Sequence, residues 1–158
     1  MNENSNTKSY LKMLRMLHLA ITIGAGLFVF IIWFVSDNQE KPSAFYLSGD
    51  ISFIIVLFVA AGTLGMVQVF IPKVISHIPS DVTLENKLVK YRLYFVIRIA
   101  VLEVPVMLAG VMYMLQLNLT LLVVALIMLA YMAFQYPVKS KIVKELNLND
   151  SEQSKIDD

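Results

Sequence analysis

Apolar residues fall in four blocks of about twenty, at 16–35, 51–72, 94–115 and 117–136, with short polar stretches between them. A helix rises 1.5 Å per residue, so roughly twenty residues cross the ~30 Å hydrocarbon layer of a bilayer. Three of the blocks contain no Lys, Arg, Asp or Glu. The pattern predicts an all-α fold, a four-helix transmembrane bundle. The first block is too long for the apolar part of a signal peptide. Val35-Ser36-Asp37 also offers no small-x-small cleavage site, so it reads as an uncleaved first helix.

The polar stretches divide the rest. Residues 1–15 form an N-terminal arm with Lys8, Lys12 and Arg15. Residues 36–50 make a loop punctuated by Pro42 and Gly49. The loop 73–93 is the longest, and within it Ser80 and Asp81 follow Pro79 as helix-capping residues. Leu84, Leu88, Tyr91 and Phe95 then share a helical stripe, so the third helix is expected to begin near Val82, in water. Only Gln116 to Asn118 join the third block to the fourth. After Tyr136-Pro137, Val138, Ile142 and Leu146 form an apolar stripe beside Lys139, Lys141 and Lys144. This predicts a short interfacial helix with its lysines at the headgroups. The segment 137–158 ends in an acidic tail, expected to be disordered.

Composition agrees with the block pattern. Of 158 residues, 58% are apolar and 16% charged, which is the balance of a membrane protein. The chain has no cysteine, which excludes disulfides, thiolate metal sites and thiol redox chemistry. A net charge of +1 gives no indication of nucleic-acid binding. The placement of charge says more. The arm 1–15, the loop 73–93 and the segment 137–158 carry eleven Lys and Arg, against the single Lys41 in the two opposite loops. By the positive-inside rule both termini are cytoplasmic, in a multi-pass protein of a membrane such as the bacterial inner membrane.

Candidate chemistry concentrates in the third block, where Arg98, Glu103 and Pro105 interrupt an apolar run. Arg98 lies near the cytoplasmic edge, level with Gln68 and Tyr131 on other helices. It either reaches the headgroups, makes a structural contact to Gln68 or Tyr131, or binds a ligand. Glu103 lies close to the midplane, level with Gly24 to Gly26 and with Gly62 and Thr63. Ionisation is costly there, and the side chain is expected to be neutral or turned into the bundle. It serves either ion or proton handling, with Arg98 as gate, or helix packing against Thr63. Pro105 removes the N–H that would bond Val101 and is a possible kink. Ala20 and Gly24 on the first helix, and Ala61 and Gly65 on the second, are pairs of small residues four apart. They predict a close crossing of those two helices. Gly110 slims the Glu103 face of the third. His18 and His77 read as surface residues, too few for a metal or haem site. No metal ligand set, cofactor motif or catalytic constellation is found.

The stretch 97–115, IRIAVLEVPVMLAGVMYML, resembles the second helix of the proteolipid (c-ring) subunits of rotary ATPases. Those subunits carry one midmembrane carboxylate facing a Gly/Ala-rich helix across a cytoplasmic loop. Ala60-Ala61-Gly62-Thr63-Leu64-Gly65, a basic loop and Glu103 repeat that layout, which would make Glu103 proton-carrying. The loop is longer here, and Arg98 and two flanking spans are added. The whole chain also resembles small uncharacterised four-span bacterial membrane proteins, with an R-x-A-x-x-E-x-P third helix and a Pro then Lys-rich end to the fourth.

The expectation is a non-enzymatic helical module that sits in the lipid bilayer and assembles with itself or another membrane protein. The alternative is a small transporter or proton-handling protein using Glu103 with Arg98.

Overall fold

The structure, a computed structural model, describes residues 3–37, 45, 51–79 and 82–157. Among them it is helical throughout, with no strand. The helices are α1 (Glu3–Asp37), α2 (Ile51–Gly65), α3 (Ile71–Ser76), α4 (Leu84–Gln116), α5 (Leu119–Phe134), α6 (Lys139–Leu146) and α7 (Asp150–Asp157). Three rods are long and apolar enough to cross a membrane: Tyr10–Ser36, Ile51–Ser76 and α4. A fourth is added if α5 and α6, bent by 79° to each other, count as one span. Phe58, Val69, Ile127 and Phe134 all point outward, as apolar solvent requires.

The α4–α5 hairpin is the axis of the bundle. Its turn is two residues long. Leu117 adopts the left-handed conformation (φ 54°) and donates its N–H to the Tyr113 carbonyl at 2.7 Å. Asn118 then caps α5, its side chain accepting from the Thr120 N–H at 3.0 Å. So short a turn leaves the two helices antiparallel and in contact along their length. On α4 the residues Leu88, Tyr91, Phe95, Arg98, Leu102, Pro105 and Ala109 are buried, at alternating steps of three and four. This spacing gives a helix a single continuous seam. The helix runs unbroken through Pro105.

Both α1 and α2 pack on this hairpin, and no substantial contact links them to each other. The expected close crossing of the first two helices does not form. Ala20, Gly24, Ala61 and Gly65 are all exposed, and a Cβ built on Gly24 or Gly65 meets nothing within 4 Å. The reason is geometric. α1 buries Leu14, His18, Ala25, Val29 and Ile32, and Gly24 lies about 100° round the helix from Ala25. Gly110 does pack closely, since a Cβ there would lie 3.1 Å from the Phe28 ring of α1.

The second rod passes through Pro72 rather than ending there. Proline has no N–H to give the carbonyl four residues back, Gln68, and its ring crowds that carbonyl. The chain answers with a π-turn at Met66–Phe70, in which the Ile71 N–H bonds the Met66 carbonyl, and the helix resumes as α3.

Three ends differ from expectation. The helical run of α1 starts at Glu3, well inside the expected arm, because Leu14 is buried and the Tyr10 hydroxyl donates to the Leu88 carbonyl. The N-cap of α4 is Thr83; Ser80 and Asp81 lie outside the described residues, as does most of the 36–50 loop. The tail forms α7 instead of a disordered segment. Glu152 and Asn149 make a reciprocal capping box: the Glu152 N–H reaches the Asn149 side chain at 2.8 Å and the Asn149 N–H reaches the Glu152 carboxylate at 3.1 Å. Glu152 also pairs with buried Lys87 of α4 at 2.7 Å, which anchors α7.

Candidate functional site

Proline ends α5 and turns the chain. Pro137 cannot donate to Ala133, and it pushes Tyr136 toward extended backbone. Residues of α1 hold this corner. The Nε2 of His18 lies 3.0 Å from the Met132 carbonyl, so that nitrogen carries the proton. Its ring stands edge-on to Tyr136 and against Phe95. Arg15 lies over the Tyr136 ring, with its Nε 3.5 Å from the Pro137 carbonyl. His18 is therefore a buried residue, 1% exposed, and not the surface histidine expected.

The corner aims α6 across the end of the bundle. Ile142 and Leu146 are buried against the protein, while Val138 is exposed. The short helix was expected to lay this stripe on lipid; it lays most of it on the bundle, in contact with α3. Glu145, just before Leu146, reaches Arg98. The Arg98 Nη1 lies 3.1 Å from one carboxylate oxygen and 3.3 Å from the other. Arg98 is 1% exposed, so neither reading of it as a headgroup-reaching side chain nor as a partner of Gln68 and Tyr131 holds. Those two bond each other instead, Gln68 Nε2 donating to the Tyr131 hydroxyl at 3.2 Å.

Satisfaction of Arg98 is partial. Among the described residues its Nε and Nη2 are buried without a hydrogen-bond partner, as is His18 Nδ1. Tyr91, wholly buried, lies beside both charges of the pair, its hydroxyl next to the Glu145 carboxylate. Lys141, half-buried on α6, donates to Gln135 at 2.5 Å. Burial, helped by the Arg98 charge, lowers its pKa from the ordinary 10.5, and Glu145 opposes the shift.

Glu103 stands apart. It is half-buried and, among the described residues, makes no hydrogen bond or ion pair, with Arg98 or with Thr63. Thr63 is itself buried on α2. Seven residues on from Glu103, on the same face of α4, is Gly110, which meets Phe28. Four residues before Phe28, on the same face of α1, is Gly24. The pairs Tyr10–Leu88, His18–Phe95 and Phe28–Gly110 run in parallel register and put Glu103 about level with Gly24. Glu103, Gly24 and Ala20 therefore border one seam, open on its outer side.

No group of three or more potential metal-ligating side chains occurs among the described residues. An apolar groove lined by Gly26, Val29, Phe30, Trp33, Leu122, Leu126 and Leu129 opens between α1 and α5, and no polar side chain converges on it. The fold and these sites define a helical protein with three to four membrane-length helices, the acidic Glu103 within an apolar one of them, and, among the described residues, two ion pairs with buried cations, Arg98–Glu145 and Lys87–Glu152. Models of known protein families, curated proteins and solved structures yield no match to the chain.

Proposed function

We propose that the protein is a non-enzymatic module of four membrane spans, both termini cytoplasmic, that assembles with a second copy through the α1–α4 seam. The carrying observation is Glu103, an acidic group in an apolar span with no partner among the described residues. A carboxyl group at that depth needs a hydrogen-bonding partner that lipid does not provide. A two-fold interface brings a residue near its axis against itself. Two carboxyl groups so placed share protons and satisfy each other. Gly24 and Ala20 beside Glu103 let the backbones approach.

The test is energy transfer between labelled copies diluted in vesicles. Glu103→Gln keeps a self-complementary side chain and should preserve association. Glu103→Leu should weaken it about tenfold, which is 1.4 kcal/mol, and Glu103→Lys should abolish it. Association indifferent to all three sinks the proposal.

The same unpaired carboxyl supports a second reading, proton or ion handling through Glu103. Under that reading Glu103→Gln abolishes a pH-dependent flux while association is untouched. Arg98, held by Glu145, has no part in it.

A further inference from the structure

The Arg98 cluster is built with more donors than its own chain uses. Arg98 spends one nitrogen on Glu145 and leaves Nε and Nη2 buried and unmatched. The Tyr91 hydroxyl, at 0% exposure, lies beside the Glu145 carboxylate and the Arg98 charge. Buried donors are almost always satisfied, so unmatched ones in a group mark a missing acceptor. Charge points the same way. Arg98 and half-buried Lys141 face one carboxylate, Glu145, which leaves one positive charge in excess.

We propose that this cluster is a binding site for a phosphate group, and that Glu145 holds the place of the ligand when it is absent. A tetrahedral oxyanion in the place of Glu145 can engage Nη1 and the unmatched Nη2 through two oxygens and present another to Tyr91, which lies beside both Arg98 and Glu145. Glu145 covers the site from α6, an eight-residue helix seated by Ile142 and Leu146. Entry of the phosphate displaces the Glu145 carboxylate and lifts α6 from the bundle. Lys139 and Lys144 lie on the same helix, and an anionic lipid headgroup and free phosphate share the required chemistry. The site is at the end of the bundle, separate from the Glu103 seam, and does not depend on assembly there.

The test uses the full chain in discs of zwitterionic lipid, with Lys144→Cys carrying a nitroxide on exposed α6. One arm adds inorganic phosphate; the other replaces part of the lipid with phosphatidylglycerol. Both arms record label mobility and thermal midpoint. The expected result is a mobile α6 and a raised midpoint in at least one arm, the responding arm naming the source. Glu145→Gln removes the internal competitor and should bind about tenfold more tightly. Tyr91→Phe should bind several-fold more weakly. Its thermal midpoint and α6 mobility without ligand, recorded alongside, separate lost binding from lost folding. No response of wild type and Glu145→Gln in either arm overturns the proposal. So does equal binding by wild type, Glu145→Gln and Tyr91→Phe, which would mean that phosphate acts elsewhere.

Discussion

Arg98 shows where residue-level reading succeeds and where it stops. Its type and depth marked it as a residue in need of a partner. The partner, Glu145, is 47 positions away in a polar segment whose docking no local pattern announces. Breaking a buried pair strands a charge. Glu145→Ala should therefore cost about 3 kcal/mol of stability, the low end of the usual range for such losses, because the Glu145 side chain keeps 16% exposure. Chemical unfolding in neutral detergent measures it, and Arg98→Met with Glu145→Leu together should recover most of the loss. Lys141 gives a pH dependence. Its pKa is lowered from 10.5 in the folded protein, so the unfolded chain holds that proton more tightly. Below the lowered value the penalty for burying the charge is present in full; as pH rises from there toward 10.5 it is lost. Wild type should gain on Lys141→Gln in thermal midpoint across that window, and parallel curves would refute the assignment. Among the glycines, Gly110→Ala must displace the Phe28 ring by a few tenths of an ångström, whereas Gly65→Ala enters open space. The first should lower the midpoint and the second should not.

Helix blocks were legible from length and hydropathy alone, since a span needs about twenty apolar residues. The stripe through Leu88, Tyr91 and Phe95 and the short helix after Pro137 were legible from periodicity. Two elements had signals that went unused. Asn149-Asp150-Ser151-Glu152 has the spacing of a capping box, which overrides the disorder suggested by an acidic composition. Tyr10, Leu11, Leu14 and His18 continue the buried face of α1 back into the polar arm. The π-turn before Pro72 had no such signal, because a proline alone does not say whether a helix ends or bulges. Glu152→Ala removes one half of the capping box and the partner of Lys87. It should cost about 1 kcal/mol from the cap alone and raise amide exchange through α7, leaving α6 protected. Unchanged exchange in α7 would show that its hold comes from elsewhere.

At the scale of the whole molecule, chain order misled. Neighbours in sequence are usually neighbours in space, and small residues on the first two rods suggested that these cross. The two-residue α4–α5 turn decides otherwise, since it makes that hairpin the contact both outer rods share. The small residues are then left outside, and with them the unpaired Glu103. A chain without cysteine allows each introduced thiol to report alone. The most direct measurement is disulfide cross-linking of full-length protein in vesicles, with Ala20→Cys on the seam, Met107→Cys one helical turn beyond Glu103 on the same face, and Phe58→Cys and Ile127→Cys on the outward faces of α2 and α5. Assembly through the seam predicts covalent dimers from the first two variants and none from the others. Dimers from Phe58→Cys or Ile127→Cys with none from the seam, or equal cross-linking at all four, would contradict it.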